Sequence, residues 1–150
     1  MTPRSAVPEA EDRRDWMGVL ARAPLDLLRA SVEGRRPEAR RLVGPEVGRI
    51  QLRATAPVTG TPFHLGEATV TRCVVEIDGR HGYAVVLGSD AERAELAAVL
   101  DALLQDPHRH ATLAAELLEP AAAAITERRR RKAGAAQATA AHFFTAARTP

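Results

Sequence analysis

Residues 66–87 read GEATVTRCVVEIDGRHGYAVVL, and this stretch decides the fold. β-Branched residues dominate its first half and alternate between two faces, as they do in a half-buried strand. Asp78-Gly79 then provides the positive φ angles that a tight turn between twisted strands requires. A second strand pattern runs from Tyr83 to Leu87. The stretch therefore predicts an antiparallel β-hairpin, with a bend or bulge at Gly66.

A further strand is predicted upstream of this hairpin. Apolar and polar residues alternate between residues 48 and 55, and Pro57, Gly60 and Pro62 then break the pattern. The first strand of the hairpin begins directly after this break, at residue 63. Together these segments predict a meander of three to four antiparallel strands.

Two short helices are predicted before the sheet. Apolar residues recur at helical spacing from Arg13 to Ala23 and again from Leu25 to Val32, and Gly34 is a typical helix stop. We expect a helical hairpin here, preceded by a disordered lead over residues 1–12. With the predicted sheet, the expected fold class is α+β, in a single domain spanning residues 13–150.

C-terminal helices are predicted after the sheet. Ser89 and Glu92 have the spacing of a capping box and precede a stripe of Leu and Val residues. The pairs Asp106-Pro107 and Glu119-Pro120 each resemble a helix start, and the last helix is expected to run toward His142.

Composition limits the classes of function. The chain has 150 residues, of which 45% are hydrophobic and 3% aromatic, so aliphatic side chains are expected to fill one core. A net charge of +2 does not favour a nucleic-acid partner. The single cysteine, Cys73, cannot form an intramolecular disulfide or a thiolate cluster. No signal-peptide pattern or long apolar run is present, which predicts a cytoplasmic protein.

Candidate catalytic groups are few. The only lysine, Lys132, is followed by Ala133, so no phosphate-binding P-loop is present. His108 and His110 are two residues apart at a predicted helix start, a spacing that does not place them on one helix face, and we expect both in solvent. The remaining candidates are expected to have structural or surface positions: His64 and His81 near turns, and Cys73 within the core.

The segment Arg128 to Lys132 contains five consecutive cations. On a helix these side chains point around most of the circumference, which favours a solvated segment. The same charges are compatible with contact to nucleic acid, a triphosphate or an acidic partner. They leave open an alternative function, a small basic regulator that binds nucleic acid.

A second cluster of polar residues lies on the predicted strand entered through Gly66. Glu67, Thr69, Thr71 and Arg72 provide a carboxylate, two hydroxyls and a guanidinium. A buried arginine in the middle of a strand requires a carboxylate, a phosphate or an interface partner. The residues alone leave a structural ion pair and a site or interface equally open, and we expect Arg72 to be held by one of them.

Several motifs along the chain resemble those of one known family. They are Arg13-x-x-Trp16-Met17-x-Val19-Leu20-Ala21, the Gly66 to Arg72 heptapeptide, Gly82-Tyr83, Val86-Leu87-Gly88 with Asp90, Ala94-Glu95, Asp101-Ala102-Leu103, and Phe143-Phe144-Thr145 with Arg148. In this order they resemble PhnG, the G subunit of the bacterial carbon–phosphorus lyase core complex. Cys73, where the family often has alanine, and the run of cations are departures from its pattern.

The resemblance implies an accessory, non-catalytic subunit. Its complex forms α-D-ribose 1-methylphosphonate 5-triphosphate from ATP and methylphosphonate and releases adenine. The implied partners are the H, I and J subunits, with two copies of each in the core, and the L subunit functionally. No metal or cofactor is expected on this chain, whereas an iron–sulfur cluster and S-adenosylmethionine are expected on the J subunit.

The candidate site residues follow from the same motifs. Contact with a partner or substrate is expected for Gly66, Glu67, Thr69, Thr71 and Arg72. Aromatic anchors in a partner interface are expected at Trp16, Phe143 and Phe144.

Overall fold

The protein is described by a computed structural model that covers residues 10–35 and 37–139. Its sheet contains three antiparallel strands in the order β1-β2-β3: Arg40–Thr55, Pro62–Ile77 and Arg80–Leu87. The predicted meander and the α+β class are therefore confirmed. β1 begins eight residues earlier than expected, because Gly44-Pro45 forms an irregularity in an edge strand instead of ending it.

Both predicted turn features are present in the sheet. Asp78 and Gly79 have φ angles of 50° and 74° and connect β2 to β3. Gly66 has a φ angle of 147°, and the register of β2 against β1 shifts by one residue at Leu65. The hairpin turn and the bulge are both confirmed.

Five α-helices and one π-helical segment are present in the described residues: α1 Ala10–Leu20, α2 Leu25–Glu33, α3 Ala91–Leu104, α4 Pro107–Leu113, the π-helical segment Ala114–Leu118, and α5 Glu119–Ala138. The N-terminal pair of helices is confirmed. Of the predicted disordered lead, residues 10–12 belong to α1, and the rest lies outside the described residues.

The cap of α3 corrects the sequence prediction. Asp90, not Ser89, is the N-cap, and its carboxylate accepts a hydrogen bond from the backbone N–H of Arg93 at 3.0 Å. Glu92, the other half of the predicted capping box, forms an ion pair with Arg29 of α2 at 2.6 Å. Ser89 and Asp90 are both residue types that cap helices. The Asp90 backbone N–H donates to the Thr71 hydroxyl at 2.9 Å, which fixes Asp90 at the cap position.

Helix α3 lies between the sheet and the other helices. It packs on β2 and β3 with one side and on α1, α2 and α4 with the other. Alanines keep this contact close, and a β-carbon built on Gly82 of β3 would lie 1.9 Å from the carbonyl oxygen of Ala98. Apart from Trp16, the core consists of aliphatic side chains, alanine and Cys73, as the composition predicted.

α5 begins at Glu119 with Pro120 in its first turn, as the sequence predicted, but no loop separates it from α4. The backbone stays right-handed helical from Leu113 to Glu119, through the π-helical segment. Pro120 has no N–H to donate and its ring crowds the preceding turn. The wider π turn directly before it accommodates the proline, so α4 and α5 form one continuous helical rod.

Candidate subunit interface

One face of the sheet is covered by α3 and the other is uncovered in the described residues. The covered face carries Thr71, Cys73 and Val75 of β2, which are buried. On the opposite face, which we call the open face, large apolar side chains remain exposed: Ile50, Leu52, Phe63, Tyr83, Val85 and Leu87. Their exposed fractions range from 37% for Leu52 to 76% for Leu87.

Part of the open face belongs to a projecting arm. β3 pairs with β2 only between Val70 and Ile77, so β1 and β2 continue beyond it as a two-stranded ribbon over residues 49–69, which we call the arm. None of the arm's side chains is buried. A two-stranded hairpin is only marginally stable by itself in water and usually needs packing against other elements. The arm lacks such packing.

The arm has two chemically different sides. Register pairs Ile50 with Ala68 and Ala54 with Phe63, which places their side chains on the open face. The other side carries Arg49 and Glu67, whose charged groups approach to 3.4 Å. The arm thus continues the apolar character of the open face away from the body of the domain.

Arg72 lies near the middle of the open face, opposite Glu46 of β1. Its Nε donates to Glu46 Oε1 at 2.8 Å. The irregularity at Gly44 sets this pairing, since Gly44 has a φ angle of 66° and its added β-carbon would lie 2.4 Å from the Arg72 carbonyl oxygen. Of the two partners predicted for Arg72, a carboxylate of the same chain or an interface partner, the structure shows the first, but both side chains are more than half exposed, so the pair is not buried.

The other four predicted site residues in the Gly66 to Arg72 motif have separate positions. Gly66 forms the bulge in the arm, and Glu67 and Thr69 are exposed on the arm's polar side. Thr71 is fully buried, and its hydroxyl donates to the Gly88 carbonyl oxygen at 2.7 Å. The structure therefore does not gather the motif into one cavity, and it gives Thr71 a structural contact.

Trp16 is a correction to the predicted interface residues. The side chain is only 4% exposed and belongs to the chain's own core. Its Nε1 donates to Asp101 Oδ1 at 2.8 Å, and its ring lies 5.1 Å from that of His110. The large indole of Trp16 thereby attaches α1 to α3. Phe143 and Phe144 lie outside the described residues.

In the described part of the chain, Cys73 and the histidines form no assembled catalytic group. Cys73 is fully buried, and burial raises the pKa of its thiol, which disfavours the nucleophilic thiolate. His64 and His108 are exposed as expected. His110 is not, because it packs against Trp16 and its Nδ1 lies 2.9 Å from the Leu104 carbonyl oxygen.

The potential metal ligands of residues 10–35 and 37–139 are not clustered. No three side chains of His, Cys, Asp or Glu there come together as a metal site. Within the same residues, no helix combines the length and the hydropathy needed to cross a bilayer.

The sequence did not predict the roles of two residues, Asp101 and Glu46. Asp101 is fully buried and accepts hydrogen bonds from α1. Glu46 lies in a part of β1 that was not predicted as strand. A lone carboxylate inside the apolar stripe of α3 was an available signal for Asp101. Glu46 had none, because the preceding Gly44-Pro45 is typical of a loop.

Two comparisons with known proteins point to the same family. The family model described as phosphonate metabolism protein PhnG matches residues 11–149. A relative from Rhizobium meliloti (strain 1021), named alpha-D-ribose 1-methylphosphonate 5-triphosphate synthase subunit PhnG, is 41% identical over 139 residues. The match covers 91% of this chain and 88% of the relative. The chain therefore belongs to the PhnG family of phosphonate metabolism proteins.

Proposed function

We propose that this chain is a non-catalytic subunit of a synthase that forms α-D-ribose 1-methylphosphonate 5-triphosphate from ATP and methylphosphonate and releases adenine. Its role is to join the other subunits, and the open face and the arm are the surfaces that bind them. The observation that carries this proposal is the set of exposed apolar side chains on the open face, from Leu87 to Phe63. Monomeric proteins seldom leave a large contiguous apolar patch in water.

The chemistry of the described residues supports an accessory role. Three groups that could have acted in catalysis have structural roles instead: Thr71 fixes the start of α3, Asp101 holds α1, and Cys73 is packed in the core. The relative's name, which describes a synthase subunit, supports a place in a larger assembly. Neither ATP nor another cofactor is proposed to bind this chain alone.

The proposed partners are the H, I and J subunits of the carbon–phosphorus lyase core, with two copies of each, and the L subunit functionally. The later radical cleavage then belongs to the J subunit, which carries the iron–sulfur cluster and uses S-adenosylmethionine. Assembly is proposed to take place in the cytoplasm. Among the motif residues, Arg72 and Gly66 are the candidates for direct contact with a partner, because they lie on the open face and at its bulge.

A pair of variants tests the surface. Ile50→Asp places a charge on the open face, whereas Val47→Asp places the same charge three residues away on the other side of β1. Both positions are about half exposed, at 44% and 57%, so neither change should unfold the chain. Each variant is co-expressed with the H, I and J chains, and the complex is isolated through a tag on another subunit.

We expect Ile50→Asp to be lost from the isolated complex and Val47→Asp to be retained. Circular dichroism of each free variant checks that its fold is intact. Retention of both variants at wild-type yield would contradict the assignment of the open face. Synthase activity of the rigorously purified chain alone would contradict the non-catalytic role.

A further inference from the structure

The outer edge of the sheet, along β3, carries backbone groups that point away from β2. Directly after β3, the Gly88 N–H donates to the Thr69 carbonyl oxygen of β2 at 2.8 Å, so the even-numbered residues pair with β2. Alternation in an antiparallel pair then directs the N–H and C=O groups of the odd-numbered residues outward. The Tyr83 N–H agrees with this direction, because it donates to Asp101 at 2.9 Å instead of to β2.

Side chains cover only the first half of this edge. The His81 carbonyl oxygen accepts hydrogen bonds from Arg13 at 3.0 Å and from Gln105 at 2.8 Å. In the second half, Val85 and Leu87 are the residues whose backbone groups point outward. Within residues 10–35 and 37–139, no hydrogen bond to those groups is present. This half of the edge is therefore available to pair with another backbone.

The second half of the edge also lacks the usual protection against strand pairing. Exposed edge strands commonly carry charges, proline or a bulge, which discourage the addition of a further strand. Residues 83–87 read YAVVL, with neither charge nor proline, and their register against β2 is regular. Val85 and Leu87 are 51% and 76% exposed. This stretch thus has the features of an edge that accepts an extended chain.

A small cavity lies beside this half of the edge, between β3 and α1. Its volume is about 210 Å³, and its lining is mainly apolar. Met17, Gly18 and Ala21 of α1 form one wall, and residues 83–85 form another. Gly18 keeps its wall low, since a β-carbon built there meets only the end of the Arg22 side chain, at 3.4 Å. The cavity can therefore receive an aliphatic side chain of a bound strand.

We infer that the second half of the β3 edge binds an extended, apolar segment of a partner subunit, which adds a fourth strand to the sheet. An extended backbone presents its N–H and C=O groups at the two-residue interval that separates Val85 from Leu87. Its side chains alternate, so that one set extends the open face and the other enters the cavity beside α1. This inference rests on the proposed function, and it adds main-chain pairing to the side-chain contacts of the open face.

Hydrogen exchange of the full-length chain tests the pairing directly, in the free state and in the complex isolated with the H, I and J chains. In the free chain the Ala84 and Val86 amides, which face β2, should exchange slowly, and the Val85 and Leu87 amides should exchange fast. In the complex, exchange at Val85 and Leu87 should slow at least about tenfold. Unchanged rates in a complex that forms overturn the inference and leave the proposed function intact. Failure of the wild-type chain to form any complex overturns both.

A proline variant separates main-chain pairing from side-chain contact. Val85→Pro removes the outward N–H, a change that an edge strand tolerates, whereas Val85→Thr keeps the N–H and nearly the same shape. Each variant is co-expressed with differently tagged wild-type chain and the partner subunits. Incorporation of the proline variant, relative to the wild type, should be at least about tenfold lower than that of the threonine variant. Circular dichroism verifies that both are folded, and equal incorporation overturns the inference.

Gly18→Leu fills the cavity from α1 without changing the edge or the open face. Gly134→Leu is the matched control, because Gly134 also lies in a helix and has open space around an added β-carbon. In the same competition, Gly18→Leu should lose incorporation at least about fivefold and Gly134→Leu should lose none. Equal incorporation of these two folded variants overturns the inference. Slowed exchange at Val85 in the free chain at high concentration would likewise overturn it, by assigning the edge to a second copy.

Discussion

Trp16 of α1 donates its indole N–H to the carboxylate of Asp101 on α3, at 2.8 Å, although the two residues are 85 positions apart in the chain. The same carboxylate accepts two hydrogen bonds from Arg13, at 3.2 and 2.7 Å, and one from the backbone N–H of Tyr83 at 2.9 Å. Asp101 therefore attaches the first helix and the last strand to the central helix. The Arg13-x-x-Trp16 motif is explained by this contact.

Asp101→Ala should be one of the most destabilising single substitutions in the chain. It removes the acceptor for four hydrogen bonds and leaves the Trp16 indole N–H and the Tyr83 backbone N–H without their carboxylate acceptor. We expect a loss of about 3 kcal/mol or more in the free energy of unfolding, as for a broken buried ion pair. Urea titration measures it, with Glu46→Ala, from the exposed pair, as the control. A loss equal to that of the control would disprove this role.

Gly82→Ala should also be severe, for a steric reason. The new methyl group would overlap the Ala98 carbonyl oxygen and approach the Ala102 β-carbon to 2.9 Å, so α3 must move away from the sheet. A loss of about 3 kcal/mol or more in stability is expected, at the upper end of the overpacking range. Gly48→Ala is the matched control, because it lies in a strand with open space around the added methyl. Equal urea midpoints for the two variants would show that this contact is not tight.

Arg72→Ala should have little effect on the isolated chain. Its ion pair with Glu46 is exposed, and exposed pairs contribute at most about 1 kcal/mol. The cost of about 3 kcal/mol expected for a buried pair does not apply. Under the proposed function, the loss should instead appear in co-purification with the other subunits. Arg49→Ala, on the polar side of the arm, is the control for both thermal melts and co-purification, and identical behaviour of the two variants would count against an interface role for Arg72.

The α3 cap should make stability depend on pH in the acidic range. The backbone N–H of Arg93, followed by its guanidinium, lowers the pKa of Asp90. A lowered pKa stabilises the fold at pH values above the unfolded carboxyl pKa of about 4, and this contribution is lost as the pH falls through the folded pKa. Asp90→Asn keeps a capping oxygen but loses the charge. Its stability difference from the wild type should therefore shrink with falling pH, and urea titrations giving a constant difference would contradict this.

Local patterns were sufficient for most of the secondary structure. The Asp78-Gly79 turn, the Gly66 bulge and the alternation of β2 depend on residues that are neighbours in sequence, and all three were predicted. The cap of α3 was misplaced by one residue because Ser89 and Asp90 are both competent caps. The choice between them is made by Thr71, eighteen or more residues away, which no local pattern includes.

The candidate site was harder to predict, because it depends on what remains uncovered. The strand pattern of β2 correctly placed Arg72 on a partly apolar face. It did not indicate that this face would stay open. Trp16 was assigned to an interface because it is an aromatic residue of the family-like motifs, yet its partner Asp101 lies in a distant helix. Residues held by long-range contacts cannot be separated from interface residues by spacing alone.

The open face also limits how much of this chain a cell can hold in free form. Side chains such as Leu87 and Phe63 are exposed to any other apolar surface they meet, and the risk of aggregation rises with concentration. Chains made in excess of whatever covers this face are therefore subject to precipitation and proteolysis. Supply of this protein must then follow the supply of its partner, and the scarcer of the two sets how many complexes form.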